Sequence, residues 1–150
     1  MKGVQEKLED FSVVGVKPGF MTHDQEGPDS AFETLNQNSF EGKWKIFYFY
    51  PKDFTFVCPT EIAEFSSINA EFNDRDAILL GGSTDNEHCK LAWRRAHEDL
   101  HELNHWSFAD TTGSLVDMLG IRSDEGVSLR ATFIFDPHNV IQHVSVNNLD

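Results

Sequence analysis

From residue 43 onward, the spacing of apolar and polar residues sorts this chain into strands and helices in a clear order. Lys43 to Tyr50 (KWKIFYFY) is aromatic and β-branched, the composition of a buried strand. Between Pro59 and Asn73, the residues Ile62, Phe65, Ile68 and Phe72 recur every three or four positions, which predicts an amphipathic helix. Ala77 to Gly82 (AILLGG) reads as a short apolar strand. A second helix is expected from Asn86 to Leu103, with Cys89, Ala92, Trp93, Ala96, Leu100 and Leu103 along one stripe. A shorter helix is expected over Ser114 to Leu119. Two final strands, Ala131 to Phe135 and Val140 to Val146, flank Asp136-Pro137-His138-Asn139, whose proline and asparagine supply the turn of an antiparallel hairpin. The first 42 residues are less regular. Gly15, Pro18, Gly19, Gly27 and Pro28 break their periodicity, leaving one or two short strands and a long surface loop.

Strand, helix, strand, helix and hairpin in that order describe one α/β layered domain over residues 1–150, with a mixed central sheet. A hydrophobic content of 39% and 13 phenylalanines are enough for a true core. The last predicted strand has no helix after it to cover that side of the sheet. The reading is therefore of a shortened chain lacking its last helix and C-terminal tail, or of a sheet face that a partner covers.

Charge narrows the function. The formal net charge is -13, from 25 acids against 12 bases, which argues against nucleic acid or an anionic membrane as a partner. The opening MKGVQEKLEDF is charged throughout and is no signal peptide, and no run has the length of a spanning helix. A cytoplasmic, reducing setting is the default. Two cysteines, Cys58 and Cys89, are too few for a disulfide framework.

Candidate chemistry concentrates in PKDFTFVCPTE, Pro51 to Glu61. Cys58 ends an apolar run, and Pro59 suits the first position of a helix, where a missing N–H costs nothing. A cysteine at that place meets free N–H groups and the positive end of a helix dipole, which favour thiolate over thiol. The alternative is a buried, inert thiol. Glu61 stands where a CxxC motif would carry its second cysteine, so this is no dithiol of the thioredoxin kind. Glu61 also repels a thiolate, a conflict that a nearby cation relieves. Lys52 and Arg130 are the candidates. Arg130 opens a core strand (RATFIF), where a strand-edge ion pair explains it equally well.

The segment Pro51 to Glu61 resembles the active-site loop of the peroxiredoxins: proline, three residues, threonine or serine, two residues, cysteine. Pro51, Thr55 and Cys58 match it position by position. GKWKIFYFYPKDFTFVCPTEIAEF, STDNEHCKLAW and GVSLRATFIFDPHNVIQHVSVN are similar to the alkyl hydroperoxide reductase C branch, from about Phe40 to Asn148. The resemblance implies a thioredoxin-like three-layer sandwich and a thiol-dependent peroxidase that reduces hydrogen peroxide and organic hydroperoxides through a sulfenic acid. It makes Cys58 the peroxidatic cysteine, with Thr55 bonding the peroxide, Pro51 shielding the pocket, Arg130 stabilising thiolate and substrate, and Glu61 orienting Arg130. It implies no metal or organic cofactor, a thiol or disulfide reductase as electron donor, and a homodimer or ring of dimers. Typical members resolve the sulfenic acid with a second cysteine in a C-terminal tail donated by the partner subunit; the expectation here is of an external thiol if these residues are the whole protein, and of the usual intersubunit disulfide if they are a fragment. Cys89 lies in a block to which the resemblance assigns no resolving role.

Two other readings compete. His97-Glu98-Asp99-Leu100-His101 and His101-Glu102-Leu103-Asn104-His105 both match H-E-x-x-H, the zinc-binding pattern of a metallohydrolase. The simpler view of residues 97–105 is a solvated His/Glu face, given the charges crowding it. A non-catalytic, chaperone-like role in a ring assembly would instead use the uncovered sheet face and Trp93 for subunit contacts.

Overall fold

The computed structural model describes residues 2–17, 32–51, 76–96 and 105–147. Its centre is β3 (Trp44–Phe49), in which five of six residues are buried. A strand buried on both faces reads as a continuous apolar run rather than an alternating one. β4 (Ala77–Ser83) pairs with β3 in parallel, and β5 (Trp106–Ala109) pairs in parallel with β4. On the other side β6 (Arg130–Phe135) runs antiparallel to β3, and β7 (Ile141–Asn147) antiparallel to β6. β1 (Ser12–Val16) joins β5 antiparallel and carries β2 (Phe32–Asn36) on its outer edge. Among the described residues the sheet has seven strands in the order β2-β1-β5-β4-β3-β6-β7.

Among the described residues two helices lie on opposite faces, in keeping with the expected three-layer sandwich with a mixed sheet. Helix α1 (Glu87–Ala96) sets Trp93 against Ile46, Tyr48, Tyr50 and Leu79 on one face. Helix α2 (Ser114–Leu119) buries Leu115, Val116 and Leu119 on the other, against Phe47, Phe49, Phe108, Phe133 and Phe135. β6 shows how its sequence sorts the layers. Ala131, Phe133 and Phe135 are buried toward α2, while Arg130, Thr132 and Ile134 are half-buried on the α1 side.

Register places rings over bare backbone in β4. Gly81 pairs with Tyr48 of β3, and Gly82 with Phe108 of β5. A Cβ at Gly81 would collide with the Tyr48 ring, and one at Gly82 with the Phe108 ring. Each aromatic therefore leans across a neighbour that has no side chain.

The hairpin, the strands from 43 on and the helix over Ser114–Leu119 fall where the pattern predicts. Among the described residues of the first 42 there are two strands. Three corrections follow. β5 was not anticipated, because WSFA is four residues long with a polar Ser107 that is nonetheless buried. The buried stripe of α1 is Lys90, Leu91 and Trp93, whereas Ala92 is exposed and Cys89 only half-buried. The helix turns a lysine inward in place of the small residue expected there. His105, expected on a solvated face, is 1% exposed. The helix predicted over residues 59–73, and residues 97–104 of the second helix, lie outside the described residues.

Side chains tie the loops down. In the turn after β6, burial alone would raise the Asp136 carboxyl's pKa. The N–H groups of Val140 and His138 and the Gln142 amide outweigh that and hold it below the ordinary carboxylate value. Asp110, just past β5, is 2% exposed and accepts the Leu115 N–H at 3.1 Å and the Val116 N–H at 2.9 Å. Its own N–H donates to the Ser83 carbonyl at 3.0 Å, so one residue joins the end of β4 to the start of α2. Asp110→Ala leaves two buried donors unpaired and is expected to cost about 2 kcal/mol of stability, read as a lower urea midpoint. An unchanged midpoint would show that the cap carries no weight.

Candidate active site

The carboxyl ends of the parallel strands form one rim of the sheet, the place where ligands bind in open α/β folds. Register fixes who stands there. Phe49 faces Ala131 across the antiparallel β3–β6 ladder, so one further step sets Tyr50 opposite Arg130. Phe49 also faces Gly82 in the parallel ladder, and the next step sets Tyr50 beside Ser83. The Tyr50 N–H donates to the Gly82 carbonyl at 3.0 Å, which carries the ladder past the end of β3. Arg130 pairs with Asn147 on its other side. Ser83, Tyr50, Arg130 and Asn147 thus make a row across four strands. Directly paired residues share a face and stand about 5 Å apart. Pro51 follows Tyr50 immediately, and both Pro51 and Arg130 are half-buried.

Tyr50 is the best-held member of that row. It is 4% exposed, with its ring 5.9 Å from Trp93 and 6.3 Å from Tyr48 between centroids. Lys90, 2% exposed, donates from Nζ to the Tyr50 hydroxyl at 3.1 Å and to Ser83 Oγ at 2.6 Å. The same ammonium stands 5.0 Å from the centre of the Tyr50 ring, a cation–π contact. Ser83 Oγ in turn accepts the Asp85 N–H at 3.3 Å. An ammonium enters a protein interior only when its donors are satisfied, and here hydroxyls and a ring face serve. Deeper in the same layer, the Tyr48 hydroxyl and His105 Nε2 share a hydrogen bond.

Helix α1 starts at this rim because Asn86 caps it, its Oδ1 accepting the Cys89 N–H at 2.7 Å. Cys89 lies half-buried in that first turn. Of the site residues expected from sequence, the fold brings Pro51 and Arg130 to the same rim, one register step apart. Cys58, Thr55 and Glu61 lie outside the described residues, as does Lys52. Of the histidines in the H-E-x-x-H stretches, His105 alone is described, and its Nε2 is engaged with Tyr48. Among the described residues no group of three or more His, Cys, Asp and Glu side chains is arranged to hold a metal, and no helix is long and apolar enough to cross a membrane.

Sequence reasoning missed Lys90 and Tyr50. The signal was present: Lys90 lies three residues before Trp93 on the apolar side of α1, and Tyr50 directly precedes the proline of the motif.

A rim with Arg130 across the strand from Tyr50, and Lys90 above its ring, supplies local positive charge in a chain of net charge -13. Such a setting favours an anion such as a thiolate. Comparison with known proteins agrees. The AhpC/TSA family matches residues 4–144. The chain is similar to an alkyl hydroperoxide reductase C of Mycolicibacterium smegmatis, 43% identical over 95% of this chain and 74% of that protein. A protein of the same name from Mycobacterium tuberculosis is 47% identical over 81% of this chain and 63% of its own length. The solved structure of Mycobacterium tuberculosis AhpC superposes with a TM-score of 0.92 at 39% identity, covering 98% of this chain and 83% of that one. Both curated relatives are named for hydroperoxide reduction, which lends no support to a metallohydrolase or a purely structural role. The chain belongs to the AhpC/TSA family: it is a peroxiredoxin of the alkyl hydroperoxide reductase C branch, a family of thiol-dependent peroxidases with a thioredoxin-like α/β fold.

Proposed function

We propose that the chain reduces hydrogen peroxide and small organic hydroperoxides with Cys58 as the attacking sulfur. The Cys58 thiolate attacks the terminal peroxide oxygen and the O–O bond breaks. Sulfur is oxidised to the sulfenic acid, and the departing alkoxide or hydroxide takes up a proton. Thr55 donates to the peroxide, Arg130 stabilises thiolate and substrate, Pro51 shields the pocket, and Glu61 orients Arg130. Donors aimed at the developing charge lower the barrier to O–O cleavage, as in an oxyanion hole. A thiol or disulfide reductase returns the sulfenic acid to the thiol and releases water. Residues 1–150 form one thioredoxin-like domain that works in the cytoplasm, paired as a homodimer or assembled as a ring of dimers.

The observation that carries the reading is the spacing Pro51, Thr55, Cys58, set against the register that stands Arg130 one residue from Pro51. Intact mass after one equivalent of peroxide tests it. The wild type and Cys89→Ser are both expected to gain a single oxygen or its disulfide product, at the same rate. Oxidation that disappears in Cys89→Ser would move the nucleophile to Cys89 and overturn the assignment.

A further inference from the structure

Lys90 has so far entered only through its share of the local positive charge, yet a nearly sealed lysine is costly to keep. Its contacts are specific. The ammonium reaches Tyr50 just past β3 and Ser83 at the end of β4, and so bridges the ends of two strands from the first turns of α1. Tyr50 directly precedes Pro51 in the chain, and it lies one step beyond the Phe49–Ala131 pair, at the register position of Arg130. Its ring has little freedom, packed by Trp93 and Tyr48 and capped by the ammonium. Ser83 is held from below as well, since its carbonyl accepts the Asp110 N–H and its hydroxyl accepts from Asp85.

We infer that Lys90, acting through the Tyr50 hydroxyl, is a positioning residue for the peroxidatic site: it locks the point from which the Pro51–Cys58 segment departs and the strand position opposite Arg130. This rests on the Cys58 reading. Lys90 need not touch substrate. Its cation and donors fix Tyr50 against Ser83, so that the rim keeps one geometry when peroxide arrives. A displacement of about 1 Å at a reacting centre costs up to a hundredfold in rate.

The test uses the full chain and three variants. Cys58→Ser checks the underlying reading. Lys90→Met keeps the length of the stem without charge or donors, and Tyr50→Phe keeps the ring against Trp93 and Tyr48 without the hydroxyl. The second-order rate of Cys58 oxidation by hydrogen peroxide is expected to fall about tenfold in each of the last two. The double variant should fall no further than Lys90→Met, because that change already removes the Tyr50 hydroxyl contact. The pH midpoint for Cys58 alkylation is expected to rise in both, a readout that loose packing alone would not move. Peroxide consumption surviving in Cys58→Ser would remove the underlying reading. With that control silent, rates within twofold of wild type in Tyr50→Phe would overturn the role of Lys90. So would a loss matched by lost secondary structure or by an unchanged alkylation midpoint. Tyr50→Phe decides the matter if Lys90→Met does not fold.

Discussion

Cys58→Ser is expected to leave no measurable peroxide reduction with any thiol reductant. A serine hydroxyl stays protonated at neutral pH and is a far poorer nucleophile toward peroxide oxygen than a thiolate. Cys89 cannot substitute, being half-buried in the first turn of a packed helix with its N–H committed to Asn86. The fold should survive, since one oxygen replaces one sulfur. Circular dichroism and the thermal midpoint are expected to match wild type, which separates lost chemistry from lost structure. Peroxide consumed at the wild-type rate by the folded variant would end the thiol peroxidase mechanism at this position.

The largest expected loss of stability comes from Phe47→Ala. Phe47 is 2% exposed in the central strand, and its ring meets those of Phe11, Phe49, Phe108 and Phe135 at 5.2 to 6.5 Å. Truncating it removes apolar burial and leaves a cavity walled by rings on three strands that cannot close in together. The expected cost is about 4 kcal/mol. The thermal midpoint should drop on the order of 10 °C. A midpoint within 2 °C of wild type, as an approximate limit, would mean that the layer beneath the sheet repacks freely, contrary to a close-packed aromatic core. Because Phe47 lies on the strand that leads directly into Tyr50, three residues on, peroxidase activity should fail at a lower temperature in step with unfolding.

Much of the fold is legible in the sequence where burial is two-sided. KWKIFYFY and AILLGG announce strands because their aromatic and aliphatic residues run on with almost no polar interruption, and Asp136-Pro137-His138-Asn139 announces its turn through its proline and asparagine. WSFA stays hidden because four residues carry no period, and it is the neighbouring β4 and β1 that make it a strand. Lys90 stays hidden for a different reason. A lysine on a helix reads as a solvent-facing charge, and its burial follows from two hydroxyls on other strands that no local pattern reveals. Cys58 is marked by spacing alone. The relation of Pro51 to Arg130, about 80 residues apart in sequence, is a product of antiparallel register.

The paired glycines of β4 set a limit on how this protein could be remodelled. With Tyr48 resting over one and Phe108 over the other, the sheet is thinnest just below the rim, and rings from opposite layers approach there with a single backbone between them. Enlarging either glycine pushes a ring outward, toward Trp93 on one side or Phe47 on the other. A redesign of substrate preference would do better to shorten Tyr48 or Phe108 first and only then add bulk to the strand between them.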